Sequence, residues 1–375
     1  MPVASLNTSW FALIGLLWAG YFVLEGFDFG VGILTPLLAR DDLDRRVCIN
    51  TIGPTWDANE VWVIVAGGAT FAAFPTWYAT MFSAFYLPLF VILVALIVRG
   101  ISFEFRGKGR GPAWPRAFDR TLFWGSLLPA ILWGVAFTDL LHGLDIASGP
   151  RYLGGFAGLL QPVALLGGLV SLTLFCLHGA IFLSAKTTGE LSGRAHRAVL
   201  VLAGPAVLGV AGLAAWLSLS RPAVTSTALS GAVPLGLVAL SVALIGAGGL
   251  FSVRRHDGSA FLCTALAILS LAAALFSALF PNVMVSSVGG QSLTLWSAAS
   301  AHETLFVMTI VAAIFTPFVL GYQTWSYWVF RQRISRPPQT VAAGRPSQPP
   351  QPDPGGAAET DPGLLAPVAR SDSGA

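Results

Sequence analysis

Two acidic pairs stand in stretches too apolar to solvate them. Glu25 and Asp28 lie in LWAGYFVLEGFDFGVGILTPLL, and Asp57 and Glu60 lie in GPTWDANEVWVIVAGG. Each pair is spaced i, i+3, which on a helix places both members on one face. An ionisable group within a bilayer costs roughly 2.5–3.5 kcal/mol on insertion scales, so such groups are retained for pairing or for proton chemistry. Four ionised carboxylates cannot share a low-dielectric site; some bind protons, or a cation sits among them. Arg99 and Arg106 are the nearest candidates for that cation, and Glu104 competes for them. Two readings follow. A proton-sharing cluster open to the cytoplasm is what a proton-uptake route needs. Alternatively, Asp57 and Glu60 pair with arginines and lock a helix bundle together.

The elements that carry these groups are membrane spans. Only 10% of residues are charged and 55% are apolar, and residues 198–220, 222–253, 259–301 and 304–330 contain no Asp, Glu, Lys or Arg. A span needs about 20 apolar residues. The pattern predicts nine, near 9–38, 51–73, 78–105, 118–141, 157–185, 196–220, 232–253, 259–280 and 302–330. Counted by alternate loops, 17 basic residues fall on one side and two, Arg151 and Arg221, on the other. The positive-inside rule then places the N-terminus outside and the C-terminus in the cytoplasm. The net charge of +3 follows from this topology and gives no reason to expect nucleic acid. MPVASLNTSW lacks a basic n-region and a cleavage site, so the first segment reads as a retained helix.

Depth follows from helical rise. If the second span starts near residue 50, Asp57 and Glu60 sit about 10–15 Å in from the cytoplasmic side. Glu25 and Asp28 lie about 24 and 28 Å along the first span, entering from outside. All four carboxylates are therefore expected at one level in the cytoplasmic half, with Trp56 and Asn59 beside them.

The other polar residues are less specific. Gly26 and Gly30 form a GxxxG step, followed by Gly32, that suits close helix packing. Pro54 either starts the second helix or bends it to admit water near Asp57. His178 is the one histidine well inside a span; haem ligation, proton relay and a helix-to-helix hydrogen bond are all open to it. His142 and His302 lie near the outer face, and His196 and His256 in cytoplasmic loops. Cys48, Cys176 and Cys263 are scattered, with neither a disulfide framework nor metal-ligand spacing. The tryptophans suit interfacial belts.

Leu24-Glu25-Gly26 followed by Gly53-Pro54, and Leu177-His178-Gly179 followed by Gly204-Pro205, hint at a repeat of four helices in parallel orientation. The expected fold is all-α: a transmembrane domain over 1–336, with halves 9–141 and 157–280 and an extra helix at 302–330. Residues 337–375 hold nine of the 24 prolines and read as a disordered cytoplasmic tail.

Glu25-Gly26-Phe27-Asp28-Phe29-Gly30-Val31-Gly32 resembles the GFD-x-GVG signature of subunit II of the cytochrome bd-type quinol oxidases. Gly53-Pro54-Thr55-Trp56-Asp57-Ala58-Asn59-Glu60-Val61-Trp62 resembles that family's second signature. Phe71-Ala72-Ala73-Phe74-Pro75 and Phe280-Pro281-Asn282 are similar to further family segments, and the likeness spans about residues 8–333. It implies a nine-helix subunit in the bacterial cytoplasmic membrane, paired with a homologous subunit I. Together they oxidise membrane quinol and reduce O2 to water with protons from the cytoplasm. The b and d haems and the quinol loop are expected on subunit I. Subunit II is expected to support haem assembly, to contribute a proton route and to offer room for a bound quinone or lipid. Asp57 and, by position, Asp28 match the family's acidic proton-route positions. Glu25 and Glu60 stand where the family tolerates other polar residues and join the expected route as members of the same cluster. The sequence names neither the quinone nor any small accessory subunit.

Two other classes compete with this reading. A stand-alone proton-coupled transporter would carry broken helices at midplane in both halves, whereas the acidic pairs occur only in the first half. A purely structural partner subunit would lose assembly, rather than activity, when Asp57 is removed.

Overall fold

A computed structural model of the chain describes residues 6–147, 151–219, 231–287 and 292–335. The Pro-rich stretch 337–375 and Arg221 fall outside the described residues. The helices are α1 (Leu6–Leu38), α2 (Asp42–Ile52), α3 (Trp56–Ala73), α4 (Pro75–Ala84), α5 (Tyr86–Phe105) and α6 (Ala113–His142), then α7 (Pro162–Lys186), α8 (Gly189–Leu219), α9 (Ala232–Val253), α10 (Asp257–Leu279) and α11 (His302–Val329). Two short antiparallel hairpins, β1 (Ile146–Ala147) with β2 (Arg151–Tyr152) and β3 (Asn282–Met284) with β4 (Leu293–Thr294), lie between helices. Eight helices, α1 and α5 to α11, are long and apolar enough to cross a membrane. The protein is an all-helical integral membrane protein.

The expected spans are offset by up to seven residues at an end, as where α8 starts at Gly189, and two of them break up. The helix predicted from residue 51 begins at Trp56 instead, because α2 ends at Ile52 and Gly53–Thr55 form a turn. Pro54 has no N–H and restricts the residue before it, which favours such a break. The short α2 is capped by Asp41, whose carboxylate accepts from the Asp44 N–H at 2.9 Å. The resulting α3 has 18 residues and carries Asp57, Asn59 and Glu60 in its first turns, so it is not among the eight. The helix predicted near 78–105 is divided at Phe85 into α4 and α5. Pro75 opens α4, and Pro88 lies in the first turn of α5, where a missing N–H is tolerated.

The loops rich in arginine gather at one end of the bundle. Arg40 pairs with Glu190 at 3.3 Å, Arg194 with Asp44 at 2.5 Å, Arg45 with Asp119 at 3.5 Å, and Arg333 with Asp257 at 3.1 Å. The other end is held by backbone bonds. Leu144 N–H donates to Val285 O and Ser300 N–H to Ala73 O. Helix α3 therefore runs from the basic end to the opposite one, although its start is polar.

Helices α1 and α7 form the centre. Helix α1 packs on α3, α6, α7 and α10, and α7 packs on α1, α6, α8 and α10. Their crossing requires glycine. A Cβ on Gly30 would collide with the Phe175 carbonyl oxygen, and one on Gly179 would stand 2.6 Å from the carbonyl carbon of Gly30. The packing reading of the GxxxG step holds, with the partner surface on α7.

Candidate functional site

Arg99 is the hub of the buried polar region. It projects from α5 with no exposed side-chain surface, and its Nη1 donates to Glu25 Oε1 on α1 and lies 3.8 Å from Glu60 Oε2 on α3. Its guanidinium carbon lies 5.0 Å from the ring centre of Phe29 and 5.5 Å from that of Phe103. The rings keep water off the cation and offer it their negative faces. Phe103 is itself stacked on Trp56 at 4.9 Å.

Asp28 lies one turn from Glu25 on α1, fully buried. Its Oδ2 accepts from Asn59 Nδ2 at 2.8 Å. Asn59 Oδ1 accepts from Tyr327 Oη at 2.7 Å and from Gln323 Nε2 at 3.2 Å, and Gln323 Oε1 accepts from Trp62 Nε1 at 3.4 Å. These bonds fix the orientation of the Asn59 amide. Glu60 is only 20% exposed at the edge of the cluster. Glu25 Oε2, Asp28 Oδ1, Arg99 Nε and Arg99 Nη2 are buried with no hydrogen-bond partner among the described residues. So many open valences on strong donors and acceptors are unusual for a packed core.

Three of the four expected carboxylates meet here. Asp57 does not. It is exposed in the first turn of α3, and its Oδ1 accepts from the Ala58 N–H at 2.8 Å. The late start of α3 explains this: Asp57 lies at the helix mouth rather than 10–15 Å within it, and Glu60, one turn further on, reaches Arg99. Arg106 is likewise not a partner of this cluster. It bonds Asp119 and Asp42, both at 2.6 Å, tying α5 to α6 and α2. Seven residues beyond Arg99, it is displaced by about 10 Å along α5 and so reaches the basic end.

His178 has both ring nitrogens engaged. Nε2 donates to the Val23 carbonyl at 3.2 Å, and Nδ1 lies 2.8 Å from Thr264 Oγ1. Its ring stacks on Phe261 at 4.6 Å. It ties α7 to α1 and α10, and no nitrogen is left to ligate a haem iron. His196, expected in a loop, is buried on α8 with Nε2 2.8 Å from Asp257 Oδ1. Among the described residues, no group of His, Cys, Asp and Glu is placed to hold a metal ion.

The contribution of α11 is absent from the sequence reading. Gln323 and Tyr327 come from more than 250 residues away. The only available signal is the polar run Tyr322-Gln323-Thr324 inside an apolar helix. An apolar groove of ≈ 120 Å³, lined by Phe22, Trp133, Phe137, Val170, Leu213 and Leu271 among others, also runs between α6 and the second set of helices.

The family model described as cytochrome bd terminal oxidase subunit II matches residues 6–330. The chain is 41% identical over 335 residues to cytochrome bd ubiquinol oxidase subunit 2 of Bacillus subtilis, covering 89% of this chain and 98% of the relative. It is 36% identical over 369 residues to cytochrome bd-I ubiquinol oxidase subunit 2 of Escherichia coli K12, covering 88% and 96%. In fold it is similar to a chain of the bd oxidase from Geobacillus thermodenitrificans, with a TM-score of 0.69 at 18% identity over 87% of this chain and 99% of that one.

Proposed function

Because the chain belongs to the cytochrome bd terminal oxidase subunit II family, we propose that its buried acidic cluster carries protons from the cytoplasm toward a partner subunit I. Membership makes it a multi-pass protein of the bacterial cytoplasmic membrane and part of a quinol oxidase complex. The proton role is carried by one observation: Glu25, Asp28 and Glu60 gather around the buried guanidinium of Arg99 with several of their polar atoms unmatched. One guanidinium balances one carboxylate, so neutrality of the three-carboxyl cluster requires two bound protons. Such a cluster passes protons on without creating an isolated buried charge. The haems, expected on subunit I, supply the oxygen chemistry; this chain's residues bind and move protons.

Asp57 takes a different place in this reading. Exposed beside Val61, Ile64 and Val65 on α3, it faces whatever covers that helix, and we assign that cover to subunit I. Asp57 then lies at the interface, and Glu60 connects it to the buried cluster. Nine crossings, with α3 as a short polar-ended span, and an outside N-terminus complete the topology. The groove beside Trp133 suits an apolar chain, a lipid or a quinone tail. A lock role is favoured separately for Arg106, paired with Asp119 and Asp42, and for His196, paired with Asp257.

The test uses the assembled complex. Asp28→Asn and Asp57→Asn keep size and hydrogen bonding but cannot ionise. Each is expected to slow quinol oxidation by O2 per haem while the haem spectrum stays near that of the parent. Normal turnover per haem with less assembled complex would make these residues structural instead.

A further inference from the structure

At the basic end, beside the acidic cluster, lies a second cavity. It has a volume of ≈ 400 Å³ and is lined by Asn50, Thr51, Thr55, Lys186, Arg333 and Tyr327 among others. At about 30 Å³ per molecule it has room for roughly ten waters, and its wall is polar enough to hold them. The Arg333 charge is offset by Asp257, and the Lys186 ammonium donates to the Phe330 carbonyl. The remaining lining is largely neutral and hydrogen-bonding.

The cavity is separated from Asp28 by two hydrogen bonds. Tyr327, in its wall, donates to Asn59 Oδ1 at 2.7 Å, and Asn59 Nδ2 donates to Asp28 Oδ2 at 2.8 Å. An amide offers a donor and an acceptor but has no readily exchanged charge state, so this link blocks a proton path rather than relaying along it. Asn59 is held by Gln323 as well, whereas the phenol hydroxyl is the group at the water side.

We propose that this cavity is the aqueous mouth serving Asp28, and that the Tyr327–Asn59 hydrogen bond is the gate between them. When the phenol swings into the cavity, water reaches the amide and the unpartnered Asp28 Oδ1; when it returns, the acid is sealed. This assignment rests on the proton-route reading of Asp28. It also places the mouth between α2, α7 and the end of α11.

The experiment uses the whole oxidase complex bearing Asn50→Cys or Ser335→Cys. Turnover of each variant is measured before and after reaction with a trimethylammonium-ethyl methanethiosulfonate. The unsubstituted complex treated alike serves as control for the native thiols Cys48, Cys176 and Cys263. Modification, verified by subunit mass, is expected to lower quinol-dependent oxygen consumption several-fold. Tyr327→Phe, which keeps the ring and loses the latch, is expected to sustain turnover to higher pH than the parent. A purely structural role does not predict that extension of the alkaline limb. Cysteines that fail to react, a blocked cavity with unchanged turnover, or a parental alkaline limb in Tyr327→Phe would overturn the proposal. If Asp28→Asn still slows turnover in those cases, the mouth is wrong and the proton route stands. If Asp28→Asn turns over normally, the route itself falls.

Discussion

Arg99 and Arg106 show how position alone divides identical side chains. Arg99 lies within α5 and Arg106 caps its C-terminal end, each with carboxylates in reach. Arg106 meets Asp119 and Asp42 through Nε and Nη2 at the polar end, while Arg99 is sealed among aromatic rings with Nε and Nη2 unmatched. Breaking a buried pair by removing one partner costs about 3–5 kcal/mol because the other charge is left uncompensated. Arg99→Met is therefore expected to reduce the amount of assembled, haem-containing complex, measured by the haem spectrum per unit of membrane protein. Adding Glu25→Gln should recover part of that loss, since the double change removes both charges; simple additivity of the two defects would refute their pairing. Arg99→Lys should not restore parental behaviour, because a compact, strongly hydrated ammonium cannot lie as a delocalised plane against the rings of Phe29 and Phe103.

At the level of elements, the site depends on how closely α1 approaches α7. Gly30 and Gly179 meet backbone to backbone, and any side chain there forces the helices apart. Overpacking a core typically costs 1–3 kcal/mol, and a contact against backbone leaves nothing flexible to yield. Gly179→Leu is expected to lower the thermal midpoint of the complex clearly. Gly212→Ala on α8, where a Cβ meets nothing within 4 Å, should leave it within about 0.5 kcal/mol of the parent. A similar fall in both would mean that glycine content, not the crossing, sets stability.

For the molecule as a whole, the charged ends determine how it sits in the bilayer. Ion pairs from α2, α6, α8, α10 and the segments after α1, α5 and α11 converge on one end, which the positive-inside rule assigns to the cytoplasm. A cysteine placed at exposed Lys108 should react with an impermeant reagent in inverted vesicles and not in intact cells. Labelling from outside would reverse the orientation, and with it the direction of the proton route. Helix α11 is nearly all exposed, with Phe306, Phe315, Phe318 and Trp325 turned outward. In a bilayer that surface meets lipid or a partner, and its inner edge still supplies Gln323 and Tyr327.

The sequence by itself determined what is local and compositional. Apolar runs of membrane length, the arginine asymmetry of the loops and the two acidic motifs are all readable along the chain. They identify a membrane protein, the approximate place of most of its spans and its family. The pairing of Glu25 with Arg99 was likewise within reach, because so few charges occur inside spans that partners are few. Only tertiary structure decided which carboxylates meet. A turn at Gly53–Thr55 starts α3 late and leaves Asp57 outside the cluster that Glu60 joins, and helical rise carries Arg106 past it. Tertiary structure also brought Tyr327 to Asn59, because helices far apart in sequence become neighbours through the packing of side chains and small residues across the bundle, which no periodicity within one helix records.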